Sequence, residues 1–297
     1  MLKQRVITAV VLLAILLPAL FYKTPTPFGA VTLVLIAAGA WEWGRLNGCS
    51  QLVSSGLGAV LLGLCGLSWY AGLLDKPLAQ LWIVAGASWV LAAALLLSRG
   101  VSGWARIPKT IRLAGGMAAL WLAWLAIAQA RVLGINFLLS VLLLVWVADI
   151  FAYFSGRRFG GRFSNRKLAP GISPGKSWEG VWGGMVGVLL LALVWVYVDG
   201  SGFQFAADAS SNSAPLSGAS GISFYSQVLN RHGAFVMLVA VVFMAAMSVA
   251  GDLVESLIKR SAGAKDSSNL LPGHGGVLDR VDALLPTLPL AMMLVSF

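Results

Sequence analysis

Residues 234–251 read AFVMLVAVVFMAAMSVAG and continue without a break into Asp252 and Glu255. An uncharged run of this length covers most of a bilayer's ~30 Å hydrocarbon core, for which a helix needs about 20 predominantly apolar residues. The two acids follow at the helix end, within roughly 10 Å of the surface at 1.5 Å per residue. Carboxylates at that depth are costly in lipid and mark functional sites. The stretch sets two expectations at once, a membrane-spanning helix and a polar site at one of its ends.

The rest of the chain repeats the first expectation. Of its 297 residues 59 % are hydrophobic and only 11 % charged, against ~25 % charged in soluble domains. The mean hydropathy is +0.86. Such a composition excludes an ordinary water-soluble enzyme and favours one polytopic membrane domain over two soluble ones. Apolar segments near 5–22, 28–46, 52–73, 78–97, 112–130, 132–154, 178–198, 233–257 and 281–297 predict about nine transmembrane helices. Lys3 and Arg5 before the first segment resemble the start of a signal peptide, but the long apolar run without a small-residue cleavage site reads as a retained helix. The weakest division lies around residues 131–134. Cys49 and Cys65 have no CxxC spacing and no neighbouring His, so they read as packing residues rather than a disulfide or zinc site.

Charge gives the orientation. Cytoplasmic loops carry the excess of Lys and Arg. With the N-terminus inside, alternation leaves only Lys23, Lys76, Arg131 and Arg231 of the 21 basic residues outside. The expected fold is therefore an all-α polytopic integral membrane protein with its N-terminus inside. Residues 1–131 form the N-terminal helices, and 132–297 a C-terminal catalytic region with cytoplasmic loops 155–177 and 258–280. Residues 199–232, rich in Ser, Gly and Ala, read as an external linker. The net charge of +10 favours anionic lipid surfaces and anionic ligands. No basic run is long enough to suggest nucleic acid.

Five of the 11 carboxylates, Asp252, Glu255, Asp266, Asp279 and Asp282, lie between residues 252 and 282. Asp149 sits comparably near the inner end of the sixth segment. Salt bridges to Lys259, Arg260, Lys265 and Arg280 are the plain structural explanation. They do not account for the sequence SSNLLPGHGGVLD, whose Gly273, Gly275 and Gly276 surround His274 just before a helix. Glycines let backbone N–H groups approach an anion, and a following helix start favours negative charge. Carboxylates can hold a hard divalent cation that in turn binds phosphate. Acids, cations and a Gly-rich turn together describe a site for a metal-bound polyphosphate. In the other inner loop, LAPGISPGKSWEG, Pro170, Gly171, Pro174 and Gly175 fix a turn, Ser173 and Ser177 offer hydroxyls and Lys176 a point charge, with a helix starting near Ser177 and Glu179 in its first turn. The loop lacks Walker-type GxxxxGKS spacing. Read alone, it is equally a capped helix beside a solvated lysine. A transporter or channel, the alternative from another class, predicts acids spread near the midplane and an inverted repeat; the sequence has neither.

The stretch SLIKRSAGAKDSSNLLPGHGGVLDRVD (256–282) resembles the C-terminal motif of the CDP-diacylglycerol synthases, or phosphatidate cytidylyltransferases. The resemblance extends through GDLVES (251–256), SPGKSWEG (173–180) and DIFAYFSGRRFG (149–160). It implies CTP and phosphatidate as substrates, CDP-diacylglycerol and pyrophosphate as products, Mg2+ as cofactor and a site on the cytoplasmic side of a bacterial inner membrane, among membrane lipids and without nucleic acid. A second cation and a homodimer stay open. By this resemblance Asp252, Asp279 and Asp282 hold the metal. Lys259, Arg260, Lys265 and Arg280 hold phosphate oxygens, and Asp266 and His274 join the catalytic group. Ser173, Lys176, Ser177, Asp149, Glu255, Gly275 and Gly276 line the substrates. Where relatives commonly carry a second lysine and a threonine, this chain has Gly175 and Ser177, which shifts weight to Lys167 or Arg166. A CTP-using polyprenol kinase would share the basic loop and acids but not the HGGVLDRVD ending.

Overall fold

The computed structural model describes residues 2–164, 167–202 and 221–296, with side chains from Gln4 onward. The side chain of Lys3, Arg166 and most of the expected external linker lie outside the described residues. The helices are α1 (Leu2–Leu20), α2 (Thr26–Leu46), α3 (Gln51–Tyr70), α4 (Ala79–Ala105), α5 (Lys109–Leu133) and α6 (Ile135–Phe159), then α7 (Trp178–Gly200), α8 (Phe224–Ser261), α9 (Leu278–Val281) and α10 (Leu284–Leu294). Between α6 and α7, strands β1 (Lys167–Ala169) and β2 (Ser173–Ser177) pair antiparallel as a small hairpin. Apart from it and one bridge between Leu271 and Gly275, the described residues are helix and loop.

Among the described residues seven helices, α2 to α8, are long and apolar enough to cross a membrane. This is an all-α integral membrane protein. The division at 131–134 falls at Gly134, whose φ of 143° ends α5 and begins α6 within one residue. A side chain there would be strained, so the sequence places glycine. Outside those seven, α1 runs 19 residues from Leu2 to Leu20, and the segment expected at 281–297 carries α9 and α10, joined through Asp282 and Ala283 in helical backbone. Residues 286–292 of α10 are buried and pack on α4, α5 and α8. The hairpin corrects one expectation: Pro170 and Gly171 form its turn, whereas Pro174 and Gly175 lie within β2.

Glycine contacts bring the later helices close. On α7, a Cβ at Gly180 would lie 3.0 Å from the Ala152 carbonyl oxygen of α6, and one at Gly184 2.9 Å from that of Ala148. At Gly187 it would lie 2.3 Å from Phe151 Cγ. Small residues at such spacing let membrane helices approach backbone to backbone. Ser177 caps α7 by accepting from the Gly180 N–H at 3.1 Å, which seats the end of β2 beside α6. On α8, a Cβ at Gly251 would lie 2.6 Å from the Asp282 carbonyl oxygen. Helix α8 therefore meets the α9–α10 junction beside Asp252. Trp146, Ile150, Tyr153 and Phe154 of α6 and Trp178 and Trp182 of α7 remain exposed around this interface.

Other polar contacts fasten the remaining helix ends. Arg131, expected in an external loop, is 3 % exposed and donates to the carbonyls of Leu20 and Tyr22 at 2.8 and 2.7 Å, closing the end of α1. Asp199 accepts from Asn136, Ser223 and Ser226, tying α7 to the starts of α6 and α8. Both cysteines are free, with Cys65 fully buried in α3.

Replacing Gly184 by Leu should overpack the α6–α7 contact and cost about 1–3 kcal/mol, read as a lower thermal midpoint of the detergent-solubilised protein. Gly63→Ala, at a position with open space around it, is the control. Equal midpoints for the two variants would mean that the close α6–α7 approach is not what stabilises this region.

Candidate active site

The expected site residues form two adjoining clusters. In the first, Lys176 of β2 ion-pairs with Asp252 of α8 at 2.5 Å. Ser256, one turn further along α8, donates to the same carboxylate at 3.2 Å. The charge of Asp252 reaches Asp149 on α6 and Asp282 after α9. The Lys176 ammonium acts on Asp149 as well as Asp252, whereas the cation that acts on Asp282 is Lys259. The Lys176 and Asp252 side chains are 26 % and 31 % exposed, and Asp149 is exposed, so the cluster opens to the surroundings. The glycine approaches of α7 to α6 and of α8 to the α9–α10 junction assemble it.

The second cluster is buried. Lys259 pairs with Glu255 one turn back on α8 and with Asp279 Oδ1 of α9 at 2.5 Å. Asp279 Oδ2 accepts from the N–H and hydroxyl of Ser267, both at 2.9 Å, and from the Gly276 N–H at 2.8 Å. Burial alone would raise this carboxyl, but the Lys259 and backbone hydrogen bonds outweigh it and hold Asp279 below the ordinary carboxylate range. The charge of Lys259 also reaches Asp282, which links the clusters.

This geometry redirects two expectations. The Gly276 N–H, offered to a phosphate by the sequence reading, is occupied by Asp279. A Cβ at Gly275, where φ is +81°, would lie 2.6 Å from Asp279 Oδ2, and one at Gly276 2.1 Å from Ser267 Oγ. The anion these glycines admit is the protein's own. Nor are Asp252, Asp279 and Asp282 brought together as a trio. Asp279 is enclosed by Lys259 and the loop, while Asp282 accepts from its neighbouring Ala283 N–H at 2.7 Å and faces Asp252 and Asp149. Among the described residues no three His, Cys, Asp or Glu converge as metal ligands. Magnesium seldom needs three, being usually held by one or two carboxylates together with water and substrate phosphates. The hard oxygens and net negative charge around Asp252 and Asp282 fit that ion.

The remaining residues form the rim. Arg260 donates to the Ile172 carbonyl of the hairpin turn at 3.4 Å and to that of Ala264 at 3.5 Å. Arg280 donates twice to the His274 carbonyl, at 3.0 and 2.7 Å. Both arginines brace turns rather than carboxylates. His274 Nδ1 is buried without a hydrogen-bond partner among the described residues. Lys265 and Asp266 are exposed on the loop, and Ser173 is half-buried at the start of β2. The sequence reading missed Ser267, Ser268 and, above all, Glu42 of α2. Thr8 of α1, which donates to the Pro272 carbonyl at 2.9 Å, was also missed. Only Glu42 carried a signal, as an acid inside an apolar segment.

A sequence profile of the cytidylyltransferase family matches residues 3–297. This chain belongs to that family. Among its relatives in the cytidylyltransferase family are proteins of Haemophilus influenzae and Pseudomonas aeruginosa, each 37 % identical over 97 % of this chain and covered over 96 % and 95 % of their own lengths. A Brucella abortus relative is 33 % identical over 96 % of the chain, with 89 % of its own length covered. All three are named phosphatidate cytidylyltransferase. The match to this family spans α1 to α10, including the early helices that the motif resemblance did not reach.

Because Asp279 is held below its ordinary value, the stability it contributes is complete above the unfolded aspartate range near pH ~4 and is lost as pH falls through the depressed value. Asp279→Asn should therefore lower the thermal midpoint at pH 7, with the gap to the unaltered protein closing as the pH is taken below 4 (~3 or lower). A gap independent of pH would show that the carboxylate charge contributes nothing.

Proposed function

We propose that the protein transfers the cytidylyl group of CTP to phosphatidate, releasing pyrophosphate and supplying CDP-diacylglycerol for phospholipid synthesis. The observation that carries this reading is the partly exposed Lys176–Asp252 pair, with Asp149 and Asp282 in its electrostatic reach, in a chain similar over nearly its whole length to proteins named for that activity. An acid-rich cleft with one movable ammonium suits a polyphosphate that arrives with its own cation.

The chemistry asks little of a base. Phosphatidate's phosphate is already anionic at neutral pH, and one of its oxygens forms the new bond to the α-phosphorus. The bond from that phosphorus to the bridging oxygen breaks, and its electron pair leaves with pyrophosphate. Two anions must be aligned and their charge offset. Lys176 starts on Asp252 and turns to a phosphate oxygen when substrate enters. Lys265, Arg260 and Arg280 face the departing phosphates from the rim. The orphaned His274 Nδ1 supports a role as donor to a phosphate oxygen. Ser173 and Ser177 close the cleft from the hairpin. Asp252 and Asp282 would hold magnesium, with Asp149 beside them, while Asp279 and Glu255 fix Lys259. The bound metal would neutralise charge on the phosphates.

Membrane residence follows from the substrates. Withdrawing a diacyl lipid from the bilayer costs ~0.8 kcal/mol per CH₂, whereas CTP cannot enter hydrocarbon. A cleft between α6, α8 and the hairpin, bordered by exposed aromatics, lets both meet. The excess of Lys and Arg on the loops that carry this cleft supports a cytoplasmic active site in a bacterial inner membrane.

The deciding assay incubates the purified protein with phosphatidate, magnesium and CTP labelled at the α or the γ phosphate. Label reaching lipid from the α position is the expected result, and transfer from the γ position would make the protein a kinase instead. Lys176→Met should lower kcat by about 100-fold in protein whose thermal midpoint is retained; an unchanged kcat would remove Lys176 from the reaction.

A further inference from the structure

Glu42 lies in α2, in the half of the chain that the sequence reading treats as membrane helices alone, and it is fully buried. Its carboxylate reaches across to the loop between α8 and α9. Oε1 accepts from the Ser268 hydroxyl at 2.5 Å and the Val277 N–H at 2.9 Å. Oε2 accepts from the Leu278 N–H at 2.8 Å and shares the single Ser267 hydroxyl proton, at 3.1 Å, with Asp279 Oδ2. Glu42 thus has three donors of its own, the Ser268 hydroxyl and the Val277 and Leu278 N–H groups, and divides the fourth, the Ser267 proton, with Asp279. Among the described residues no Lys, Arg or His forms an ion pair with it. A buried acid held only by neutral donors of a single loop is an expensive device, and every group it grips lies within the stretch that carries the reacting residues.

We propose that Glu42 is a positioning residue for cytidylyl transfer. The proposal rests on the function proposed above. Ser267 connects Glu42 to Asp279, and Asp279 connects through Lys259 to Glu255 on α8. This chain fixes the loop between α2 and α8. It also sets the start of α9 and so the direction in which Asp282, one turn later, faces Asp252. The loop has little regular structure of its own, and the anchor replaces what a longer helix would supply. Gly276 is explained by the same contact, since a Cβ there would lie 2.2 Å from Glu42 Oε1.

Glu42→Gln keeps the shape but turns one oxygen into a donor that opposes an N–H or hydroxyl. In full-length protein in detergent, two readouts are expected. Amides of Val277 and Leu278 should lose hydrogen-exchange protection while those of α6 and α7 keep it. The kcat should fall by about 10–100-fold with little change in the KM for CTP. Ser268→Ala, which removes one of the four hydrogen bonds, should shift both readouts the same way by less, and it carries the test if Glu42→Gln does not fold. Unchanged kcat with intact loop protection in both variants, or a rise in KM at constant kcat, would overturn the proposal. Absence of cytidylyl transfer by the unaltered protein would instead refute the function proposed above, and the exchange readout would still decide whether Glu42 anchors the loop.

Discussion

Lys259 is the ion on which the site's architecture turns. Placed between Glu255 and Asp279 with a side chain only 12 % exposed, it converts two buried negative charges from a liability into a bond between α8 and the loop that returns to α9. Removing one partner from such a group leaves an uncompensated charge, which is far more damaging than the pair is worth as net stability. The arrangement therefore specifies one conformation. With Asp279 fixed, the Ser267 and Gly276 groups have a place, α9 has a defined start, and Asp282 faces the open cluster rather than the loop.

The close helix contacts complete that constraint. In the α6–α7 contact and at the junction of α8 with α10, the backbones approach where Gly180, Gly184 and Gly251 stand. In a membrane, where lipid is as apolar as leucine, such packing supplies association that hydrophobicity cannot. It brings Asp149, Lys176, Asp252 and Asp282, from four different elements, within electrostatic reach of one another. These residues are separated by more than a hundred positions in the chain, and nothing local unites them.

Much of this was legible in the residues themselves. Hydropathy located the helices α2 to α8, and the crowding of carboxylates between 252 and 282 located the chemistry. The division at Gly134 and the start of α7 at Ser177 follow from backbone rules that act locally. What escaped was tertiary. Hydropathy reads burial in protein and exposure to lipid alike, so it does not reveal that residues 286–292 of α10 pack against α4, α5 and α8. Spacing suggested that Asp279 and Asp282 act together, yet over one turn of α9 they face different neighbours. Gly275 and Gly276 announced a nearby anion correctly, but no pattern in sequence revealed that it belongs to Asp279 and Glu42. A long-range hydrogen bond such as Ser267 to Glu42 leaves no periodic trace.

The exposed aromatics of α6 and α7 have a kinetic consequence. Trp146, Tyr153, Phe154 and Trp182 are exposed on α6, which carries Asp149, and on α7, and in the function proposed above the lipid substrate reaches the site along them, by diffusion within the plane of the bilayer. The encounter is two-dimensional for one reactant and three-dimensional for the other. Occupancy of the lipid side is then governed by the mole fraction of phosphatidate in the membrane rather than by its amount per volume, and diluting the bilayer with inert lipid slows the enzyme as surely as lowering CTP in the water.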